Sequence, residues 1–189
     1  MASQTDIYNR ALSAVGDLRI SSPSEPSAQA TACNDAWDIV RREMLVEHPW
    51  NFAKEYVSRS ATTTTPPWRW SYEYILPADC LQVREVKDLD DDGWEVVSER
   101  RLYCDDAGPI SLTYTKDVTD CGAFPPRFVV AVAMRLAVEI AEQLTQSNTK
   151  QEILIAKADR ALRRARMADG REGPPLKQRA GRWITARMS

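Results

Sequence analysis

A chain of 189 residues is long enough for one sizeable core, or for a helical core carrying a β insertion. Its 43% hydrophobic and 28% charged residues give an ordinary soluble balance; no apolar run reaches membrane-spanning length, and no signal peptide is expected ahead of Ser3, Gln4 and Thr5, so synthesis in a cytoplasm is expected. The formal net charge of −2 is unevenly placed: after Gly170, five cations (Arg171, Lys177, Arg179, Arg182, Arg187) face the single acid Glu172, a local +4 that leaves −6 on the rest.

The first predicted element is a helix, with Ile7, Ala11, Leu12, Val15 and Leu18 at three- and four-residue steps. Gly16 and the Ser-Pro-Ser-Glu-Pro stretch at 22–26 end it. A second helix is expected from Pro26, whose missing N–H is not needed in a first turn. Its apolar face is Ala30, Cys33, Trp37, Val40, Met44 and Leu45, and it ends before Pro49, which cannot continue the ladder.

Residues 54–116 change character, being rich in β-branched and aromatic side chains broken by turn signals. Tyr56 and Val57 lie in one predicted strand. Trp68, Trp70, Tyr72 and Tyr74 alternate, the period of a strand with one distinct face. Leu81, Val83 and Val86 suggest another strand, and Trp94, Val96 and Val97 follow an Asp run ending in Gly93, a hairpin signal. Ile110, Leu112 and Tyr114 alternate after the turn at 105–109. The expectation is a small antiparallel sheet or sandwich.

The helical period then returns. Pro125 and Pro126 open a helix with Phe128, Val129, Val132, Ala133, Leu136, Ile140 and Leu144 on one side. A break at Thr145–Asn148 offers capping residues. A last helix is expected to reach about Asp169, with Ile153, Leu154, Ala158, Ala161, Leu162 and Ala165 inward. Arg160, Arg163, Arg164 and Arg166 suit the negative pole of its dipole. The predicted class is α+β: a helical bundle (1–53 and 122–170), an inserted β-rich segment (54–121) and an extended C-terminal arm (171–189). No repeat of fixed period is visible.

The residues offer little for catalysis. Cys33, Cys80, Cys104 and Cys121 are scattered without Cys-x-x-Cys spacing, and are expected to be reduced and mostly buried. Asp88-x-Asp90-x-Asp92-Gly93-x5-Glu99 fits the calcium-loop expression of an EF-hand, with hard oxygen ligands, a glycine at the bend and a closing Glu. Its flanks read as strands, and Glu95 stands where such loops place an apolar residue, so a solvated turn is expected and no metal. His48, the one histidine, has no conspicuous nucleophile or orienting acid and is expected to cap or pack. There is no Gly-x-Gly-x-x-Gly and no phosphate loop. Trp68, Trp70, Tyr72 and Tyr74 could stack bases, but Arg69, Glu73 and the acidic body give little basic interleaving, which favours a packed face. No catalytic, cofactor-binding or metal residue is therefore assigned, and no enzyme activity is expected.

The segment 173–184 is too poor in apolar residues to fold alone, yet carries anchors suited to an interface. The partner-binding residues assigned there are Leu176, Lys177, Arg179, Arg182, Trp183, Ile184 and Arg187. Docking on a protein is favoured over a solvated end or contact with nucleic acid.

Four stretches carry a family resemblance. Asp6-Ile-Tyr-Asn-Arg-Ala-Leu-Ser-Ala-Val-Gly16 and Leu45–Ala53, with His48-Pro49-Trp50-Asn51-Phe52-Ala53 at its centre, resemble the tail tubular protein A family of short-tailed phages. So do Tyr74-Ile-Leu-Pro77-Ala-Asp79-Cys80-Leu81 and Phe124-Pro125-Pro126-Arg127-Phe128 with Leu136-Ala137 and Ile140-Ala141. The four fall in order and span most of residues 5–170, while the arm matches no motif of that family. The resemblance implies a virion protein that forms a ring, commonly of twelve subunits, under the portal. The ring would continue the DNA channel, join the portal to a nozzle of the tail tubular protein B kind, and give tail fibres a place to attach. An acidic channel wall would suit DNA transit, because attraction to phosphates would slow the genome. Two alternatives stand beside it: a head-completion or connector protein of a long-tailed phage, and a nucleic-acid-binding module using the basic arm.

Overall fold

The computed structural model describes residues 1–98, 100–145 and 148–172. Among these, the chain forms four α-helices and two three-stranded antiparallel sheets, an α+β fold. The predicted arm residues Leu176, Lys177, Arg179, Arg182, Trp183, Ile184 and Arg187 lie outside the described residues.

Helix α1 (Gln4–Val15) opens with a capping box, Ser3 accepting from the Asp6 N–H while Asp6 accepts from the Ser3 N–H. Gly16 closes it at φ 87, a left-handed position that suits glycine. Leu18, placed on this helix by its spacing, lies beyond the cap and is 75% exposed. Helix α2 (Ala28–Val46) begins two residues later than Pro26 suggested, because the Ser27 hydroxyl accepts the Ala30 N–H and makes Ser27 the cap. All six residues of its predicted face are buried.

Helix α3 (Pro126–Leu144) is buried on nearly every side and packs against α1, α2 and α4 (Asn148–Asp169). That explains its near-continuous apolar run: packed on three helices, it keeps only a narrow polar stripe, where Arg135 pairs with Glu43 and Glu139. On α4, Leu154, Ala158 and Ala165 are buried and Ala161 and Leu162 half-buried, but Ile153 points outward. No helix among the described residues is long and apolar enough to cross a membrane.

Strands β1 (Lys54–Arg59), β6 (Ile110–Lys116) and β3 (Cys80–Val86) form the first sheet in the order β1-β6-β3. Strands β2 (Tyr72–Ile75), β5 (Arg101–Cys104) and β4 (Trp94–Val97) form the second, in the order β2-β5-β4. Tyr74, Leu102 and Cys104 of the second sheet share one apolar core with Val83, Val86, Ile110, Leu112 and Tyr114 of the first. The predicted sheet or sandwich is thus two facing sheets, with a core separate from that of the helices.

Two sequence expectations fail here for identifiable reasons. The Asp run ending at Gly93 makes no hairpin: it carries the chain from β3 in one sheet to β4 in the other. The tight hairpin turns need positive φ at a central residue, and Gly93 does not adopt it. The hairpin instead joins β4 to β5, which has no strong alternation, and there Arg100 takes φ 72. Nor do Trp68, Trp70, Tyr72 and Tyr74 share a strand. Arg69 breaks the alternation at φ 61, leaving only Tyr72 and Tyr74 in β2.

Burial pushes the phenols of Tyr74 and Tyr114, both in the sandwich core, up to about 12 from 10.0. For Tyr114, the hydrogen bond it donates to the Asp79 carboxylate adds to the effect. Because the fold holds these protons more tightly than the unfolded chain, their contribution is complete below pH 10 and is lost as pH rises towards 12. A pH series of urea midpoints should therefore fall steeply between those values, and Tyr74→Phe should flatten the fall.

Candidate functional site

The segment His48–Ala53 follows α2 at the point where the chain leaves the helices for the sheets. Pro49 stops α2 from continuing and turns the chain, with the Trp50 N–H on the His48 carbonyl at 2.7 Å. Trp50 swings into the helical core, where its indole N–H donates to the Met44 carbonyl at 2.7 Å. Its ring meets Phe128 edge-on at 4.9 Å and His48 at 4.7 Å. Phe52 and Phe124 complete the cluster, 4.7 and 5.0 Å from Phe128. Edge-to-face packing of this kind adds to the burial of the rings themselves.

The end of α4 is tied to the same segment. Asp169 is 7% exposed and accepts the Asn51 backbone N–H at 2.9 Å. The Asn51 side-chain amide donates to the Asp169 carbonyl at 2.8 Å, and His48 Nε2 lies 3.3 Å from Oδ2. Arg166 donates to the Glu47 carbonyl at 3.1 Å and pairs with the Glu47 carboxylate. From the sheet side, Arg84 of β3 donates to the Trp50 carbonyl at 2.9 Å and to the Thr115 hydroxyl at 2.8 Å. Burial lowers the Arg84 guanidinium from its ordinary value, and the nearby Asp169 opposes that.

A second polar joint lies along α2. Arg41, 2% exposed, pairs with Asp117 and donates to the Val118 carbonyl at 2.9 Å. Arg42 reaches the same Asp117 at 3.0 Å, and the Asp117 backbone N–H donates to the Asp79 carbonyl at 2.7 Å. The two joints tie the helices to the first sheet, which α2 meets through β3 and β6.

His48 therefore packs and binds an acid, and the acid belongs to a helix end. Beside the joint is a groove of about 230 Å³, floored by Trp50, Phe128 and Ala165 and walled by Pro125, Pro126 and Ala168. Arg127, Asp169 and Glu172 supply its charges.

Asp169, Asp117, Arg41 and Arg84 were not singled out by sequence reasoning. One signal was present for Asp169: an acid in the last turn of a helix opposes the dipole and calls for a compensating partner. Arg41 and Asp117 lie far apart in the chain, and no local pattern pairs them.

The other candidates separate. Trp70 is buried and its indole N–H donates to Glu95 at 2.9 Å, while Trp68 is exposed. Asp88, Asp90, Asp92 and Gly93 lie in the connection between the sheets, and Glu99 lies outside the described residues. Among the described residues, no group of three or more His, Cys, Asp or Glu side chains could hold a metal ion. Calcium titrated calorimetrically in low salt should show no site in the micromolar sensor range. All four cysteines are free thiols, with Cys33 and Cys80 pushed up to about 11 by burial.

A scan against protein-family models finds no match for this chain, and a comparison with curated proteins finds none either.

Proposed function

We propose that this chain is a structural, non-enzymatic head-to-tail adaptor of a phage virion, acting as a ring between portal and tail nozzle. The observation that supports it is the use to which the four resembling stretches are put. In the first, Asn9 clamps the Ile20 backbone at 2.9 and 2.8 Å, and Tyr8 donates to Asn34 and packs on Trp37. The second is the joint around Trp50. In the third, Asp79 accepts from Tyr114 at 3.1 Å and, through its carbonyl, from Asp117. In the fourth, Phe124 and Phe128 close the aromatic cluster. These residues are spent on packing the helical core and on its junction with the sheets, through Arg84 on the Trp50 carbonyl and Asp117 on the Asp79 carbonyl, which suits a structural subunit.

The arm supplies the attachment in this reading. Its Leu176, Trp183 and Ile184 would lose water on the portal or an adjacent subunit, and its cations would meet acceptors there. Ordering it costs about 1–2 kcal/mol per residue in backbone entropy, so one arm binds marginally and a ring of arms gains avidity. Removing residues 173–189 should leave the far-UV helix signal and thermal midpoint unchanged, while attachment to portal-bearing heads is lost. Truncated protein that joins such heads at full occupancy would refute the arm. A head-completion role in a long-tailed phage differs only in the next protein bound. Steeply salt-dependent DNA binding by the isolated monomer would favour the nucleic-acid reading instead.

A further inference from the structure

The point from which the arm leaves the body is held in place. Beyond α4 the chain winds on through Gly170, Arg171 and Glu172, whose N–H groups donate to the carbonyls of Arg166, Ala168 and Asp169 at 3.0, 3.1 and 3.0 Å. Asp169 is bonded to Asn51, and Arg166 to Glu47, so this end of α4 is tied to the joint around Trp50. Glu172, the last described residue, is itself part of the rim of the groove of about 230 Å³ beside Trp50. Along that rim Pro125 and Ala168 are half-buried and Pro126 is exposed, which leaves apolar surface uncovered where the chain exits. Arg127 and Glu172 carry one charge of each sign, so charge selects no occupant. Covalent connection does: from the rim the sequence continues as Gly173-Pro174-Pro175-Leu176.

We propose that the groove beside Trp50 is the seat of Leu176 of the same chain, which roots the arm on the joint and leaves its far part to bind a partner. The proposal rests on the reading of 173–189 as an arm and adds where that arm is held. Leu176 lies four residues past Glu172, a span of at most about 14 Å, so it reaches the groove beside which it starts. A short tether presents its end at a high effective concentration, and the advantage falls as the tether lengthens. That favours Leu176 over Trp183 and Ile184 further along, and over a segment of another molecule. Pro174 and Pro175 have φ fixed beforehand, so seating Leu176 orders little more than Gly173 and Leu176 themselves. Burial of one leucine against the ordering of two residues is a near balance. The seat is therefore compatible with an arm whose removal leaves the thermal midpoint in place.

The test uses the full chain with photo-reactive p-benzoylphenylalanine in place of Leu176, irradiated as a mixture of isotope-labelled and unlabelled protein. Adducts should form within one copy, at peptides 125–128 or 165–168, and their share should not change on dilution. Ala168→Arg in the same chain should lower their yield by roughly tenfold, as loss of one apolar contact does, with the helix signal unchanged. A chain shortened to residues 1–179 should keep the adducts, because Trp183 and Ile184 are not the anchors of this seat. With the native leucine in place, amide exchange gives a second reading: Leu176→Ser should speed exchange at Gly170, Arg171 and Glu172 to the rates of a chain ending at Glu172. Adducts between copies, adducts elsewhere on the body, none at all, or exchange that Leu176→Ser leaves unchanged would each overturn the seat. Wild type that joins portal-bearing heads in those cases keeps the adaptor reading without the seat. Adducts at the groove in a protein that never joins such heads keep the seat and remove the adaptor reading.

Discussion

Asp117→Ala will cost the fold about 3–5 kcal/mol, the range expected when one partner of a buried ion pair is removed. The size follows from what is left behind. Arg41 is almost wholly buried, and without Asp117 its guanidinium keeps only the Val118 carbonyl and a 3.4 Å approach from the exposed Asp38. A buried charge without its counter-ion bears the full desolvation cost. Arg42 loses a partner too, but it is exposed and adds little. The double variant Arg41→Met, Asp117→Val should recover most of the loss, since replacing both partners by apolar groups is often neutral or better. Urea denaturation of the three proteins measures this directly. A loss below about 1 kcal/mol in Asp117→Ala would mean that solvent reaches the pair and that it is no joint.

Trp50→Ala should be comparably damaging, at about 3–5 kcal/mol. The indole lies at the meeting point of α2, α3 and the end of α4, so its removal opens a cavity bounded by three elements that cannot all close on it. Phe128 and His48 lose their edge-on partner together. Trp50→Phe separates ring from hydrogen bond: it keeps most of the apolar contact and leaves the Met44 carbonyl without the indole donor, a loss of about 1 kcal/mol. If the alanine and phenylalanine variants unfold at the same denaturant concentration, packing is not what Trp50 contributes. A large effect of both Trp50→Ala and Asp117→Ala, at two separate joints between helices and sheet, is expected if the two units unfold as one.

The helices were legible because their signals are local. Each apolar face repeats at the helical step, and proline, glycine and serine mark the ends within a residue or two. Leu18 and Ile153 keep the spacing and miss the core, since spacing says nothing of where the partner helix stops. The strands of the first sheet were legible where they alternate, as at Ile110, Leu112 and Tyr114. Strand β5 was not, because three of its four residues are buried and it has no alternation to read. The Asp–Gly turn misled for a different reason: turn chemistry marks a reversal without saying which strands it pairs, and only the facing of the two sheets decides that.

By itself, the sequence determined an α+β chain with helices at both ends and strands between. It also assigned His48 to capping or packing, and the ring does pack on Trp50. These follow from short-range chemistry: periodicity, caps, breakers and the spacing of ligands. What the tertiary structure alone decided is pairing at a distance. Arg41 with Asp117 and Asn51 with Asp169 join residues remote in the chain, and in each pair a buried charge, Arg41 or Asp169, takes from its partner what water no longer supplies. The same holds for the two tryptophans of one loop, alike in sequence spacing. Trp70 found the acid Glu95 on β4 and was buried, while Trp68, across the left-handed turn at Arg69, was left exposed.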